Sequence, residues 1–320
     1  MTMPVLFYGT SQTAKTAFDQ LLRRIELNPT RVKDASTRYL AVKQVIESAL
    51  PGKTMKQIGF FQRKTKLRPV DLSDALDLDT IVDFGETGPI RPYGGGGTTP
   101  QMAIEVVRRA LVSNETYRVM APVPDSPVVV LEYADKLKIE IAPVFTDKTG
   151  ARAHREGLPS AYLVPGKYGQ WDPADYDYDA LYISAMNEKA KGALVPTIKI
   201  AKAFLRNRTL LKSFHIEILA GLTVPDMVAH WESSNTPWGY PQLFAAFLGL
   251  ASERLMNRVS LPGSYSPPVD SDLALMPSLM LGTMMRQWSE QAWQICNITE
   301  DARALAEWRR FYGEPFPASI

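Results

Sequence analysis

The sequence predicts an α+β protein, with strand-forming segments in its first half and helices over most of its second half. Apolar and β-branched residues form strand-like runs between residues 76 and 144. Beyond Asn187, apolar residues recur at the spacing of amphipathic helices up to the C-terminus. We therefore expect two domains, residues 1–185 and residues 186–320.

Two helices are expected before the first long strand. Residues 11–28 place apolar side chains at helical spacing, and a proline-containing break follows at residues 28–30. Residues 34–50 again have the pattern of a helix, which Pro51-Gly52 ends.

Later elements follow from turn and capping residues. Thr99 is placed as an N-cap with Pro100 at the first helical position, which predicts a helix to about Leu111. Two strand-like runs on either side of residues 134–137 predict a β-hairpin. Residues 161–179 contain Pro, Gly and alternating Tyr and Asp, and are expected to form a loop.

The composition is that of a packed globular protein rather than a disordered or fibrous chain. The 320 residues are 45% hydrophobic and 22% charged, and the formal net charge of +2 does not indicate a stable nucleic-acid complex. Cys296 is the only cysteine, which excludes an intramolecular disulfide and a cysteine-rich zinc site, and fits a reducing cytoplasm. No apolar run of about 18 residues predicts a membrane span, and no secretion signal is expected.

Two aspartates alternate along the first long strand, whose apolar β-formers run over residues 76–82. Residues two apart in a strand face the same way, so Asp77 and Asp79 project together, with Cα atoms about 6.6 Å apart. Carboxylates at this spacing suit a pair of hard cations that stabilise the attacking and leaving oxygens of phosphoryl or nucleotidyl transfer. A half-exposed edge strand with solvated acids is the alternative interpretation.

The residues before this strand carry a family resemblance. Helix, glycine turn, helical turn and acidic strand follow one another in the order of the polymerase-β superfamily of nucleotidyltransferases. The segment resembles the Gly-Ser…Thr-x-Ile-Arg-Pro motif of the bacterial cGAS/DncV-like nucleotidyltransferases (CD-NTases). The matching residues are Gly59-Phe60, Thr65, Leu67 and Arg68-Pro69. The resemblance implies a polymerase-β-like core with a mixed β-sheet, followed by an all-helical lobe like that of oligoadenylate synthetases.

The motif departs from the family at Phe60, where serine is usual. That serine holds a triphosphate oxygen by a hydrogen bond, and a phenylalanine side chain has neither donor nor acceptor. Gly59 still lets backbone N–H groups approach phosphate, and Arg63, Lys64 and Lys66 supply positive charge. The resemblance assigns Gly59, Phe60 and Arg63 to nucleotide binding.

Glu140 resembles the third metal ligand of the family. It lies among apolar neighbours in the alternating strand at residues 138–144, where the family has an aspartate. The resemblance therefore implies that Asp77, Asp79 and Glu140 are catalytic and bind the metal, which is Mg²⁺ or alternatively Mn²⁺.

The helical region carries the expected triphosphate contacts. Lys199, Lys202 and Arg206 form a basic stripe beside an apolar one, although such a face is usually only solvated. Lys202 resembles the lysine of the family's Leu-x-Lys-x-Trp helix, with Lys199 as the fallback. Ser213 resembles the serine at the start of the family's next helix.

The resemblance implies an enzyme that makes a cyclic di- or trinucleotide second messenger from nucleoside triphosphates by two-metal catalysis. It also implies a cytoplasmic protein of CBASS-type anti-phage defence, with a separate effector that senses the product and a protein partner that can activate the enzyme. Two rival interpretations stay open. One is a catalytically degenerate nucleotide-binding member of the family, motivated by Phe60 and Glu140; the other is an RNA-binding or scaffold protein that uses the helical region.

Overall fold

The computed structural model describes residues 11–69, 75–86, 97–125, 127–147, 157, 161–166, 168–269, 273 and 275–320. The chain forms two compact units. The sheet unit comprises Leu27–Leu181 and Gly263–Pro267, and the helical unit comprises the chain up to Glu26, Tyr182–Pro262 and Pro268–Ile320. The change of unit near residue 182 lies close to the expected boundary, but the first helix groups with the C-terminal helices.

The described part of the chain contains both helices and strands in its first half, and helices alone follow β7. The helices are α1 Gln12–Ile25, α2 Pro29–Ala49, α3 Gly59–Gln62, α4 Pro100–Val112, α5 Glu115–Val119, α6 Tyr176–Lys189, α7 Leu194–Leu205, α8 Ser213–Gly221, α9 Val224–Ser233, α10 Tyr240–Arg254, α11 Leu275–Cys296 and α12 Asp301–Tyr312. The strands are β1 Thr54–Gln57, β2 Leu76–Glu86, β3 Val123–Asp125, β4 Val128–Glu132, β5 Leu137–Thr146, β6 Tyr162–Pro165 and β7 Trp171–Ala174.

The strands form one mixed sheet in the order β1-β2-β5-β4-β3, with β6 paired to β5 and β7 paired to β6. β2 and β5 run parallel, and the other pairs are antiparallel. The expected hairpin is confirmed, since β4 and β5 pair with Val130 opposite Glu140. The mixed sheet implied by the resemblance is confirmed as well.

One face of the β2–β5 pair is apolar, because side chains alternate along each strand. Leu76 and Leu78 on β2, and Ile139 and Ile141 on β5, belong to the main core together with residues of α2 and α4. Each buried aliphatic side chain contributes roughly 1.5–3 kcal/mol. A one-residue slip of either strand would expose this set, so the core fixes which residues point to the other face.

Capping residues define where the helices on this core begin. α2 starts at Pro29, and the Asn28 side chain accepts a 2.8 Å hydrogen bond from the Thr30 N–H. The helix was predicted to begin at residue 34, because Pro29 was taken to interrupt the helical pattern. Proline is, however, favoured in the first turn of a helix. The helix predicted after Thr99 is confirmed as α4.

The prediction of a loop over residues 161–179 is wrong, because this segment contains the β6–β7 hairpin and the start of α6. The Gly166 N–H donates a 2.7 Å hydrogen bond to the Gln170 carbonyl oxygen, and Gly169 has a φ of +80°, which favours glycine. Both strands are short and contain proline, which hid them from the pattern. The short elements β1, α5 and α9 were also not predicted.

An aromatic core holds the helical unit together. Phe18 of α1 packs edge-on against Trp308 of α12, with 4.9 Å between ring centroids. Phe204 of α7 and Phe244 of α10 pack in the same way at 5.1 Å. The contribution of Phe18 explains why the first helix groups with the C-terminal helices. Among the described helices, none combines the length and apolar character needed to cross a membrane.

Candidate active site

A glycine turn borders the candidate site. Gly59 opens α3 with a φ of +69°, in the left-handed region that favours glycine. The Ile58 N–H donates a 2.9 Å hydrogen bond to the Asp79 carbonyl oxygen and so ties the turn to β2. A Cβ atom at Gly59 would lie 2.2 Å from Oδ2 of Asp79. Only glycine therefore allows the Asp79 carboxylate to lie against this turn.

The three predicted carboxylates lie on one face of the sheet. Asp79 and Glu140 are direct partners in the parallel register of β2 and β5, and Asp77 lies two residues earlier, opposite Lys138. Paired side chains of neighbouring strands point to the same side, and the strands are about 4.8 Å apart. We call this surface, formed by Asp77, Asp79 and Glu140, the carboxylate face. It lies opposite the main core.

Burial and mutual repulsion make negative charge on the carboxylate face costly. Burial raises the pKa of the Asp79 carboxyl; Lys66 opposes this rise, and the Asp77 carboxylate adds to it. Burial also raises the pKa of Glu140, and the carboxylates of Asp79 and Asp77 add to that rise. A carboxylate cluster of this kind is electrostatically suited to bind a cation.

Cationic side chains surround the residue that replaces the motif serine. The guanidinium carbon of Arg63 lies 5.4 Å from the centroid of the Phe60 ring, and Nζ of Lys66 lies 5.6 Å from it. Nζ of Lys66 is also 3.8 Å from Oδ2 of Asp77. The predicted nucleotide-binding residues Gly59, Phe60 and Arg63 are therefore brought together at the border of the carboxylate face.

The carboxylate face offers the oxygen donors that Mg²⁺ and Mn²⁺ prefer. In the part of the chain that the structure describes, no three His, Cys, Asp or Glu side chains are arranged so that they could already hold a metal ion. The carboxylate oxygens of Asp77, Asp79 and Glu140 and their position on one face fit a divalent cation.

A polar cluster near the carboxylate face was not found from the sequence. Lys56 on β1 lies opposite Ile81, and its ammonium group contacts the hydroxyl of Tyr162 and the carboxylate of Asp177. The Tyr162 hydroxyl donates a 2.7 Å hydrogen bond to Oδ2 of Asp177. These residues lie on three elements that are distant in the sequence, so no spacing signal could have revealed them.

Both predicted triphosphate lysines are engaged within the helical unit. The ammonium group of Lys202 contacts the carboxylate of Glu217 on α8, and these side chains are 4% and 0% exposed. Nζ of Lys199 lies 2.8 Å from Oε1 of Glu26. A basic stripe of this kind is usually solvated, but Lys202 is buried, because the Glu217 carboxylate supplies its counter-charge. The phosphate-binding role of either lysine stays a prediction.

Ser213 is the first residue of α8, and it is exposed. The N-terminus of a helix favours anions, because its backbone N–H groups and the helix dipole present positive charge there. Ser213 thus has the helix-start position that the sequence predicted, and its contact with phosphate stays a prediction.

Solved structures with this fold include three CD-NTases. CdnC of E. coli MS115-1 with ATP superposes with a TM-score of 0.69 at 15% identity, over 95% of this chain and 98% of that one. CdnC in complex with HORMA-deltaN gives a TM-score of 0.67 at 15% identity, over 96% and 98%. The Bradyrhizobium diazoefficiens CD-NTase CdnG with GTP gives 0.67 at 14% identity, over 94% and 95%. The Vibrio cholerae DncV cyclic AMP-GMP synthase with a linear intermediate gives 0.68 at 13% identity, over 98% and 97%. No curated protein matches the sequence.

The fold is therefore that of the cGAS/DncV-like nucleotidyltransferases, in which a mixed sheet is followed by helices. Residues 13–157 match the family model described as the Second Messenger Oligonucleotide or Dinucleotide Synthetase domain, SMODS. The matched part of the chain contains the glycine turn and the carboxylate face. The resemblance inferred from the motif at residues 59–69 is confirmed.

Proposed function

We propose that the protein is a nucleotidyltransferase that joins nucleoside triphosphates into a cyclic di- or trinucleotide second messenger. The observation that carries this proposal is the register of β2 and β5, which pairs Asp79 with Glu140 on the face opposite the core. The SMODS match over residues 13–157 supports the reaction class.

Asp77, Asp79 and Glu140 would hold two divalent ions, Mg²⁺ or alternatively Mn²⁺, through their carboxylate oxygens. When bound, such ions activate the attacking ribose hydroxyl and neutralise charge at the α-phosphate as pyrophosphate leaves. The protein's own part is to keep these three carboxylates on one rigid pair of strands, so that little reorganisation is needed for the reaction.

Residues around the carboxylate face and in the helical unit are proposed to bind the triphosphate. Gly59 keeps the turn free of a side chain, so phosphate oxygens can approach its backbone, and Arg63 supplies positive charge. Ser213 at the start of α8, with Lys202 or Lys199 of α7, is proposed to contribute the remaining contacts.

Partners are proposed from the solved relatives. ATP and GTP are the ligands recorded with CdnC and CdnG, which supports nucleoside triphosphates as substrates. The HORMA-deltaN complex of CdnC supports an activating protein partner. We also propose a cytoplasmic role in CBASS-type anti-phage signalling, in which a separate effector senses the product.

A nucleotide-binding protein without turnover is the second candidate, and Phe60 in place of the motif serine favours it. The retained carboxylates count against it. An RNA-binding or scaffold role is less well supported, because the burial of Lys202 removes one member of the basic stripe on which that role depends.

The test is incubation of the purified protein with labelled nucleoside triphosphates, singly and in pairs, with Mg²⁺ or Mn²⁺. We expect a product that phosphatase does not degrade, because a cyclic product has no terminal phosphate. Glu140→Gln should reduce its yield by at least about tenfold if Glu140 binds the metal. Tight nucleotide binding without any product would instead support the inactive candidate.

A further inference from the structure

We propose that Lys66 is a built-in counter-ion of the carboxylate face, held beside Asp77 by the ring of Phe60. Its ammonium group must leave Asp77 before a divalent cation can bind there. The proposal rests on the proposed function in one respect, namely that the carboxylate face is the metal site. It makes Lys66 and Phe60 positioning residues rather than direct phosphate ligands.

The position of Lys66 is the first observation. Its Nζ lies 3.8 Å from Oδ2 of Asp77, and its side chain is 17% exposed, compared with 42% for Asp77. A lysine that is largely withdrawn from solvent needs a compensating negative charge.

The ring of Phe60 is the second observation. The ring lies within cation–π distance of both Lys66 and Arg63. An aromatic face attracts an ammonium group without taking its hydrogen bonds, so Lys66 can contact the ring and a carboxylate at once. A serine at this position could not hold the ammonium group in this way. Phe60, which stands where the family motif has serine, thus has the role of holding the Lys66 ammonium group beside Asp77.

Competition with a metal ion follows from this arrangement. An ammonium group and a divalent cation repel each other, and both are attracted to the same carboxylate, that of Asp77. The 3.8 Å separation of Lys66 Nζ and Asp77 Oδ2 therefore makes the ammonium group a competitor for the cation at this carboxylate.

The test is a titration of the full chain with Mn²⁺ in the absence of nucleotide. The electron paramagnetic resonance signal of free Mn²⁺ measures how much of the ion is bound. Lys66→Gln is expected to bind Mn²⁺ roughly three- to tenfold more tightly than wild type, because it removes the competing charge. Lys64→Gln is the matched control, since it removes the same charge from an exposed side chain two residues away. It should change the affinity by less than about twofold.

Phe60→Leu tests the positioning role of the ring. It keeps an apolar side chain and removes the aromatic face, so it should tighten Mn²⁺ binding in the same direction as Lys66→Gln, but less. In a protein that already carries Lys66→Gln, it should have no further effect, because the ring then has no ammonium group to hold.

A second measurement follows the same residue through thermal unfolding in EDTA. Lys66→Gln should lower the melting temperature more than Lys64→Gln, since it removes the ammonium group that lies 3.8 Å from Asp77. Mn²⁺ should restore more of this loss in Lys66→Gln than in Lys64→Gln. Equal Mn²⁺ affinities and equal melting temperatures for Lys66→Gln and Lys64→Gln would overturn this inference, but they would not affect the proposed function. If Asp79→Asn also bound Mn²⁺ as tightly as wild type, the carboxylate face would not be the metal site, and the proposed function would be overturned with it.

Discussion

Gly59 and Asp79 act together at the scale of single residues. The missing side chain of Gly59 leaves room for the Asp79 carboxylate, and the Phe60 N–H donates a hydrogen bond to that carboxylate. Any residue other than proline would supply this N–H. Phenylalanine in place of the motif serine therefore changes the side chain at this turn, but it keeps the backbone hydrogen bond to the Asp79 carboxylate.

Phe60→Ser is expected to leave nucleotide turnover similar or to increase it. The serine hydroxyl would restore one hydrogen bond to a charged phosphate, worth about 1.5–3 kcal/mol, or roughly one to two powers of ten in affinity. The measurement is the kcat/KM of wild type and variant side by side. A decrease of more than about tenfold in the variant would contradict this expectation and show that turnover needs the ring.

Asp79→Asn is expected to stabilise the metal-free protein at neutral pH while it abolishes turnover. The pKa of Asp79 is raised in the folded state, so its contribution to stability is present at low pH and is lost as pH rises through that pKa. At neutral pH the charge is therefore a cost that asparagine avoids, and asparagine can still accept the Phe60 N–H. Thermal unfolding in EDTA at pH 7 and near pH 4 measures this. The gain should shrink at the lower pH, and a loss of stability at pH 7 would contradict the prediction.

At the scale of helices and strands, the sequence predicted the elements that carry strong local signals. β2 and β5 alternate apolar and polar residues, and α4 has both an N-cap and an N-terminal proline. The register that pairs Asp79 with Glu140 was not predicted, since packing between distant segments sets it. The resemblance implied only that Glu140 is a third metal ligand. The burial of Lys202 was not predictable either, because its counter-charge, Glu217, lies on another helix.

Lys202→Met is expected to destabilise the protein far more than Lys199→Met. Removing Lys202 takes away the ammonium counter-charge of the buried Glu217 carboxylate, and breaking a buried ion pair typically costs about 3–5 kcal/mol. The Lys199–Glu26 pair is more exposed and should contribute about 1 kcal/mol or less. Chemical denaturation of the two variants measures the difference. Similar free energies of unfolding would contradict the structural role of the Lys202–Glu217 pair.

Alanine variants of the same two lysines address phosphate binding. If Lys202 is the triphosphate lysine, as the resemblance implies, Lys202→Ala should weaken nucleotide binding more than Lys199→Ala in the folded fraction of each protein. The opposite order would transfer the role to Lys199.

At the scale of the whole molecule, the chain divides into a sheet unit and a helical unit, and α1 groups with the helical unit. α1 has an ordinary amphipathic pattern, and nothing in that pattern says which core it joins. Its apolar face carries Phe18, which packs with Trp308 almost three hundred residues later. Long-range packing of this kind is decided by the shape of the core rather than by periodicity.

The most direct test of the account is the rate of pyrophosphate release from nucleoside triphosphates with Mg²⁺ or Mn²⁺, in wild type, Asp77→Asn and Asp83→Asn. Asp83 lies on the same strand, but its carboxylate accepts hydrogen bonds of 2.8 Å from the Gly85 N–H and 2.9 Å from the Thr146 hydroxyl. The account predicts metal-dependent release by wild type and Asp83→Asn, and only background release by Asp77→Asn. Undiminished release by Asp77→Asn, or loss of release in Asp83→Asn alone, would contradict it.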